Sequence, residues 1–278
     1  MIRGSRSASE QTGWRRLRHL FFPGNTWGRR HFRALPERAQ VPPTPDVPHL
    51  LAGWEHTIIE EARPYTMTSP SRLLATIDAV AYVVEQGVPG ALVECGVWRG
   101  VSVLAMIRTL QSKGVDDREI YLFDTFEGMT QPTEQDISSF DSPALETWTS
   151  STREGQVPWS WAFDPQIFNL EAVRDLIVGT GYPPERVHFV QGRVEESLPK
   201  NAPASVSVLR LDTDWYESTW HELVHLFPRL SKAGVLIIDD YVHWDGCRRS
   251  VDQYLRELDS PVFLARSDYT GRIGIKLL

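Results

Sequence analysis

The chain of 278 residues has only two cysteines, Cys95 and Cys247, and they lie far apart. That excludes a disulfide scaffold, a CxxC redox pair and paired zinc-ligand spacing, and it points to a reducing, cytoplasmic setting. Long apolar runs are missing as well. Asp78 interrupts the best stretch, Leu73 to Val84, which falls short of the roughly 18 residues a membrane helix needs, so no integral membrane span is expected. GxGxxG, GxSxG, Walker A, DFG and HExxH spacings are absent, and there is no internal repeat. The sequence therefore offers none of the usual signatures for dinucleotide binding, serine hydrolysis, phosphoryl transfer or histidine-bound zinc.

What is present is an ordinary globular balance, 41% hydrophobic and 23% charged, which excludes disorder and collagen-like repeats. The net charge of -7 hides an asymmetry: residues 1–45 hold nine arginines against Glu10 and Glu37, so the remainder is twice as acidic as the whole-chain figure suggests. So acidic a body matches a nucleic-acid backbone poorly and suits cations or neutral small molecules better. Residues 1–47 read as a basic, flexible arm that ends in the stiff run Val41-Pro-Pro-Thr-Pro. No apolar segment follows its arginines, so a secretory signal is not expected.

From residue 48 to 278 the pattern is that of one domain. Leu50 to Ala62 and Ser69 to Gln86 have helical apolar spacing, and Ser69-Pro70 makes a good N-cap and first-turn pair. Short apolar strands then alternate with amphipathic helices. Strands are expected at Ala91 to Gly96, Glu119 to Asp124, Val187 to Gly192, Val206 to Asp212 and Gly234 to Asp240. The helices between and after them are Val101 to Ser112, 167–178, Glu217 to Leu230 and Gly246 to Leu258. Crossover helices of this length imply a doubly wound, mostly parallel α/β sheet behind a helical N-terminal cap. Val262 to Arg266 and Arg272 to Leu277 are too close for a crossover and should pair as an antiparallel hairpin. Residues 125–165 are long for a strand-to-helix connection. Their tryptophans Trp148, Trp159 and Trp161 suggest an ordered, lid-like insertion over the strand ends.

In such a sheet ligands bind at the carboxyl ends of the strands. The first strand runs into Val93-Glu-Cys-Gly-Val-Trp-Arg-Gly. Gly96 permits a tight turn and Gly100 a close helix approach, while Glu94 would repel a pyrophosphate and suits a cationic amino-acid ligand. Asp124 ends the second strand, where a carboxylate can accept hydrogen bonds from a ribose diol. Gln191-Gly192 ends the third and could place polar atoms at an adenine edge. The densest feature is Leu211-Asp-Thr-Asp-Trp-Tyr with Ile237-Ile-Asp-Asp-Tyr. Asp212, Asp214, Asp239 and Asp240 should converge there, and four carboxylates in a small volume need a cation or bound protons. Oxygen ligands select Mg²⁺. Asp212, Asp239 and Asp240 are the expected ligand set. Asp214 is the expected general base that deprotonates one hydroxyl of a diol before it attacks a methyl group held in line. His243 is a possible substrate contact.

From about Tyr65 onward the sequence resembles the macrocin O-methyltransferase (TylF-type) family. The resemblance rests on Met67-Thr-Ser-Pro-Ser-Arg-Leu, Val93-Glu-Cys-Gly-Val-Trp-Arg-Gly, Tyr121-Leu-Phe-Asp-Thr-Phe-Glu-Gly-Met, Leu211-Asp-Thr-Asp-Trp-Tyr-Glu-Ser-Thr and Ile238-Asp-Asp-Tyr. It implies a class I S-adenosylmethionine-dependent fold, methyl transfer to a sugar hydroxyl of a small-molecule glycoside or polysaccharide, and a homodimer. It also implies that Thr68 and Ser69 close over the cofactor, that Glu94 and Asp124 hold its amino-acid and ribose parts, that Asp212, Asp239 and Asp240 bind Mg²⁺, and that Asp214 is the base. Thr213 stands where glycine is common in the family, and Val242-His243 replaces a glycine-containing turn. Two rival readings are a nicotinamide-dependent oxidoreductase and a non-catalytic module on a related fold. Glycine spacing and the terminal hairpin oppose the first; the carboxylate cluster opposes the second.

Overall fold

The computed structural model describes residue 51 and residues 53–166, 168–258 and 261–278. The arginine-rich arm lies outside the described residues. Helix α1 (Gly53–Ala62) and helix α2 (Pro70–Glu85) form the N-terminal cap. The Ser69 hydroxyl accepts the Arg72 N–H at 3.2 Å, and Pro70 fills the first turn where no N–H is needed. Leu73 and Ile77 lie on one face of α2 and pack with Ile58, Ile59, Val101 and Ala105.

The sheet contains β1 (Ala91–Cys95), β2 (Ile120–Asp124), β3 (Val187–Gln191), β4 (Val206–Leu211), β5 (Leu230–Ile238), β6 (Leu264–Arg266) and β7 (Arg272–Ile275). Their order is β3-β2-β1-β4-β5-β7-β6. The first five strands are parallel, and β7 runs antiparallel to both β5 and β6. The doubly wound sheet with a terminal antiparallel hairpin is thus as the pattern implied. Helices α3 (Val101–Ser112) and α5 (Leu170–Val178) join α2 on one face; α6 (Val194–Ser197), α7 (Tyr216–Leu226) and α8 (Asp245–Arg256) cover the other. With both faces covered, β1 and β4 are buried along their whole length, which is why they read as near-continuous apolar runs. Chain order reverses between β1 and β4, so the crevice for a ligand opens at their carboxyl ends.

Some boundaries differ from expectation for identifiable reasons. Helix α7 stops at Leu226 because Pro228 supplies no N–H to continue it, and Phe227–Arg229 turns as a 3-10 helix. Strand β5 begins at Leu230 rather than Gly234, since Leu230 pairs with Val206 across an irregularity in the β4 ladder. Within the long β2-to-α5 connection a further helix, α4 (Ala144–Arg153), had no counterpart in the sequence reading.

Candidate functional site

Backbone bonds lace the strand ends together. The Gly96 N–H donates to Phe123 O, Asp212 N–H to Cys95 O at 2.8 Å and Asp239 N–H to Leu211 O at 2.9 Å. Gly96 sits at φ 79° with its α-carbon against β4: a Cβ there would lie 1.9 Å from the Asp212 carbonyl oxygen. Only glycine lets the two strand ends approach this closely. Gly100, also at positive φ, caps α3, where a Cβ would come within 3.0 Å of Val173. Gly192 has φ 128°, and its N–H donates to Asp124 O at 2.9 Å.

The expected carboxylates do converge. Ligand oxygens of Asp212, Asp239 and Asp240 all lie within 4.8 Å of one another. Asp214 follows on the turn after β4 at φ 67°, a left-handed conformation that aspartate tolerates better than most non-glycine residues. Its carboxyl interacts with Asp240 and with Trp244. Two arginines that sequence reasoning passed over organise the group. Arg210, 1% exposed in β4, donates to Glu94 at 2.6 Å, to Asp212 at 2.6 Å and to the first oxygen of Asp239. Arg72 of α2 pairs with the second oxygen of Asp239 and lies 2.8 Å from Asp268 in the β6–β7 turn. A cation in the all-buried strand Val-Ser-Val-Leu-Arg-Leu was the missed signal, since such a charge requires buried partners.

The electrostatics follow from this wiring. Burial would raise Asp239, but Arg72 and Arg210 outweigh it and hold its carboxyl below the usual range. Asp212, Asp214 and Asp240 are pushed well up, first by burial and then by one another's charge. Burial raises Glu94 to about 8 in spite of Arg210. Five carboxylates (Glu94, Asp212, Asp214, Asp239, Asp240) thus face two guanidiniums, an excess of negative charge that protons or a divalent cation must balance. The donor set fits a hard cation: all its ligand atoms are oxygens, Asp240 pairs with neither arginine, and Asp212 has one oxygen outside its Arg210 contact.

The cofactor-side residues are placed as follows. Asp124 accepts the Val97 and Trp98 N–H groups at 2.6 and 3.0 Å on one oxygen, and the Phe126 N–H at 2.7 Å on the other. It therefore folds the β1–α3 loop onto the end of β2, and only its 3.4 Å bond from the Thr125 hydroxyl is loose enough to yield to a ligand. Thr68 is half-buried, its N–H bonded to Thr66 Oγ1 at 3.0 Å. Ser69 donates to Asp268 at 2.7 Å, tying the start of α2 to the β6–β7 turn. Trp98 is half-buried and donates to Ala162 O at 2.9 Å, whereas Phe123 and Phe126 are core residues.

The segment after β2 is pinned over these strand ends. Fully buried Asp136 accepts the Tyr216 N–H at the start of α7 at 2.8 Å and the Thr133 N–H at 2.7 Å. The Trp215 indole donates to Thr130 O at 3.0 Å, and Trp159, Trp215 and Trp244 form a continuous aromatic row. His243 stacks on Phe140 of the same segment, with Tyr269 Oη 3.1 Å from its Nδ1 and Asp141 3.3 Å from its Nε2.

Comparison with known proteins agrees with this architecture. The family model described as macrocin-O-methyltransferase (TylF) matches residues 60–272. The chain is 32% identical over 210 residues to demethyldecarbamoylnovobiocin O-methyltransferase of Streptomyces niveus, covering 76% of this chain and 75% of that protein. It is 36% identical over 211 residues to 8-demethyl-8-(2,3-dimethoxy-alpha-L-rhamnosyl)-tetracenomycin-C 4'-O-methyltransferase of Streptomyces olivaceus, covering 76% and 69%. Among solved structures, the O-methyltransferase NovP superposes with a TM-score of 0.65 at 28% identity, over 80% of this chain and 88% of that one. The calicheamicin methyltransferase CalS11, 18% identical with a TM-score of 0.52 over 91% and 99% of the two chains, shares the fold. These matches displace the oxidoreductase and the non-catalytic module. The chain belongs to the macrocin O-methyltransferase (TylF) family of S-adenosylmethionine-dependent O-methyltransferases.

Proposed function

We propose that this protein methylates a sugar hydroxyl of a glycosylated natural product or polysaccharide, with Asp212, Asp239 and Asp240 holding Mg²⁺ and Asp214 acting as general base. The observation that carries the reading is the convergence of three carboxylates within 4.8 Å, with Asp214 two residues along the same turn. The relatives named above are O-methyltransferases of glycosylated compounds, which supports a sugar as acceptor. Mg²⁺ at this position would supply a positive charge that lowers the pKa of a neighbouring hydroxyl.

The chain's own residues do the remaining work. Arg210 and Arg72 orient Asp239 and keep it ionised, so it enters the cluster as an anion. Asp214, two residues beyond Asp212 and beside Asp240, takes the acceptor proton on a carboxylate oxygen. Glu94 would lie beside the cofactor's ammonium group, whose charge would add to that of Arg210 in offsetting the burial of this carboxyl, and the β1–α3 loop shaped by Asp124 receives the ribose, with Gly192 bordering the adenine. Thr68 and Ser69, the latter anchored to the β6–β7 turn through Asp268, border the cofactor just ahead of α2. The pinned aromatic segment shields the crevice from water, which strengthens every charge interaction inside it.

Two further elements complete the reading: a homodimer, checked by light scattering of the purified chain, and a reducing compartment, consistent with Cys95 and Cys247 both being free and buried. None of the described helices is long and apolar enough to cross a membrane. The deciding experiment incubates protein, S-adenosylmethionine and Mg²⁺ with a panel of glycosides and their aglycones. Mass gain of one methyl group on the glycosides alone supports the reading; methylation of the aglycones alone contradicts it.

A further inference from the structure

On the outer side of α8 the chain does something its acidity does not suggest. Arg248, Arg249 and Arg256 of α8 face Arg266 of β6 and Arg272 of β7 across a groove of about 810 Å³. Asp252 is the acidic residue of its lining, and its carboxylate already accepts the Tyr241 hydroxyl at 2.5 Å. Arg272 is 8% exposed, stacked over the Tyr241 ring at 4.7 Å and donating to Thr270 O and Gly271 O. Burial and the facing Arg266 lower its pKa, the reverse of what an ion-paired arginine shows. Arg248 pairs with Asp245 at 2.7 Å; among the described residues no carboxylate pairs with Arg249, Arg256, Arg266 or Arg272. In a protein of net charge -7, five guanidiniums around one concavity favour a compact anion, and guanidinium forks match phosphate oxygens two at a time.

The groove's place in the fold says which anion. Tyr241 and Val242 line its inner wall and follow Asp239 and Asp240 directly in the chain. Arg272 lies opposite Ile238, at the β5 end from which those aspartates emerge. The groove thus starts at the residues that follow the carboxylate cluster, so a phosphate held there would lie on the side of the acceptor site. The N-terminal arm is not a candidate occupant, because its nine arginines would be repelled.

We infer that the groove between α8 and the β6–β7 hairpin is a phosphate-binding subsite for the acceptor, so that the sugar methylated carries a phosphate or diphosphate group. The acceptor part of this inference rests on the methyl-transfer reading above; the anion site itself does not. A soluble nucleoside-diphosphate sugar and a lipid-linked sugar phosphate share this chemistry.

Calorimetric titration of the full chain with inorganic pyrophosphate, set against a double variant of the groove, reads the groove independently of any acceptor and of the basic arm, which both proteins share. Saturable binding is expected, weakened about 10-fold or more in the Arg249→Ala/Arg266→Ala double variant while cofactor affinity is unchanged. No saturable binding, or binding undiminished in the double variant, overturns the site. Steady-state methylation of a nucleoside-diphosphate sugar, a polyprenyl-phosphate sugar in detergent and a neutral glycoside reads its purpose. A lower KM for either phosphorylated acceptor, raised about 10-fold by the double variant at unchanged kcat, supports the inference and identifies the source. Equal KM values for phosphorylated and neutral acceptors overturn it without touching the methyl-transfer reading. Absence of methylation from every glycoside overturns that reading instead, and the pyrophosphate titration still decides the anion site.

Discussion

Replacing Arg210 by methionine tests whether buried charge pairing organises the site. The side chain is 1% exposed and contacts Glu94, Asp212 and Asp239. Methionine keeps most of the volume, so the cost is chiefly electrostatic: buried Glu94 and Asp239 and half-buried Asp212 lose their shared cation, and only Asp239 retains another, from Arg72. Breaking a buried pair by removing one partner costs about 3–5 kcal/mol. For a domain of this size that corresponds to a fall in Tm of roughly 6–20 °C. The penalty should depend on pH. Burial already raises Glu94 to about 8, and losing Arg210 raises it further. A carboxyl whose folded-state pKa is raised destabilises the fold when ionised, so the penalty is full above the folded pKa. It shrinks as pH falls through that value, because the folded state then takes up protons. Urea unfolding of wild type and Arg210→Met near about pH 9 and about pH 6 measures both effects. A penalty under about 1 kcal/mol, or one equal at the two pH values, would refute the assignment of Arg210 as the cluster's internal counter-ion.

Other predictions follow from the same geometry. Asp214→Asn should slow turnover about 100-fold or more while cofactor affinity stays near wild type; normal turnover in single-turnover kinetics would remove Asp214 from the base role. Gly96→Ala places a Cβ 1.9 Å from the Asp212 carbonyl oxygen at a positive φ and should cost roughly 2–5 kcal/mol by denaturant titration. A loss below about 0.5 kcal/mol would mean the β1 and β4 ends are not in contact. Asp136→Ala frees the start of α7 from the segment above it, and hydrogen exchange across residues 130–145 should quicken; unchanged protection would show that the segment is held by other contacts.

Much of the fold was legible because alternation of apolar strands with amphipathic helices leaves few topologies, and the short Ser267–Gly271 link admits only a hairpin. The aspartates were legible for a related reason: a carboxylate just past a buried strand falls at the open end of a parallel sheet. What stayed hidden depends on contacts distant in sequence. Arg72 is 167 residues from Asp239, and its place in the first turn of a helix names no partner. Asp136 looked like any loop acid until α7 donated to it across 80 residues. The arginines of α8 look like a solvated face until the hairpin sets Arg266 and Arg272 opposite them. Asp124 shows another limit. Its position at the end of β2 was readable, but three backbone N–H groups converge on it, so its first task is to shape a loop.

The proposed chemistry requires that the aspartate cluster hold a functional divalent cation. Methyl transfer should be followed with chelator-treated protein as Mg²⁺ is added back, beside the Asp240→Asn variant. Chelation should abolish turnover, Mg²⁺ should restore it saturably, and Asp240→Asn should shift half-saturation upward by about 10-fold or more. Full turnover after chelation, or the same Mg²⁺ titration in Asp240→Asn as in wild type, would contradict that chemistry.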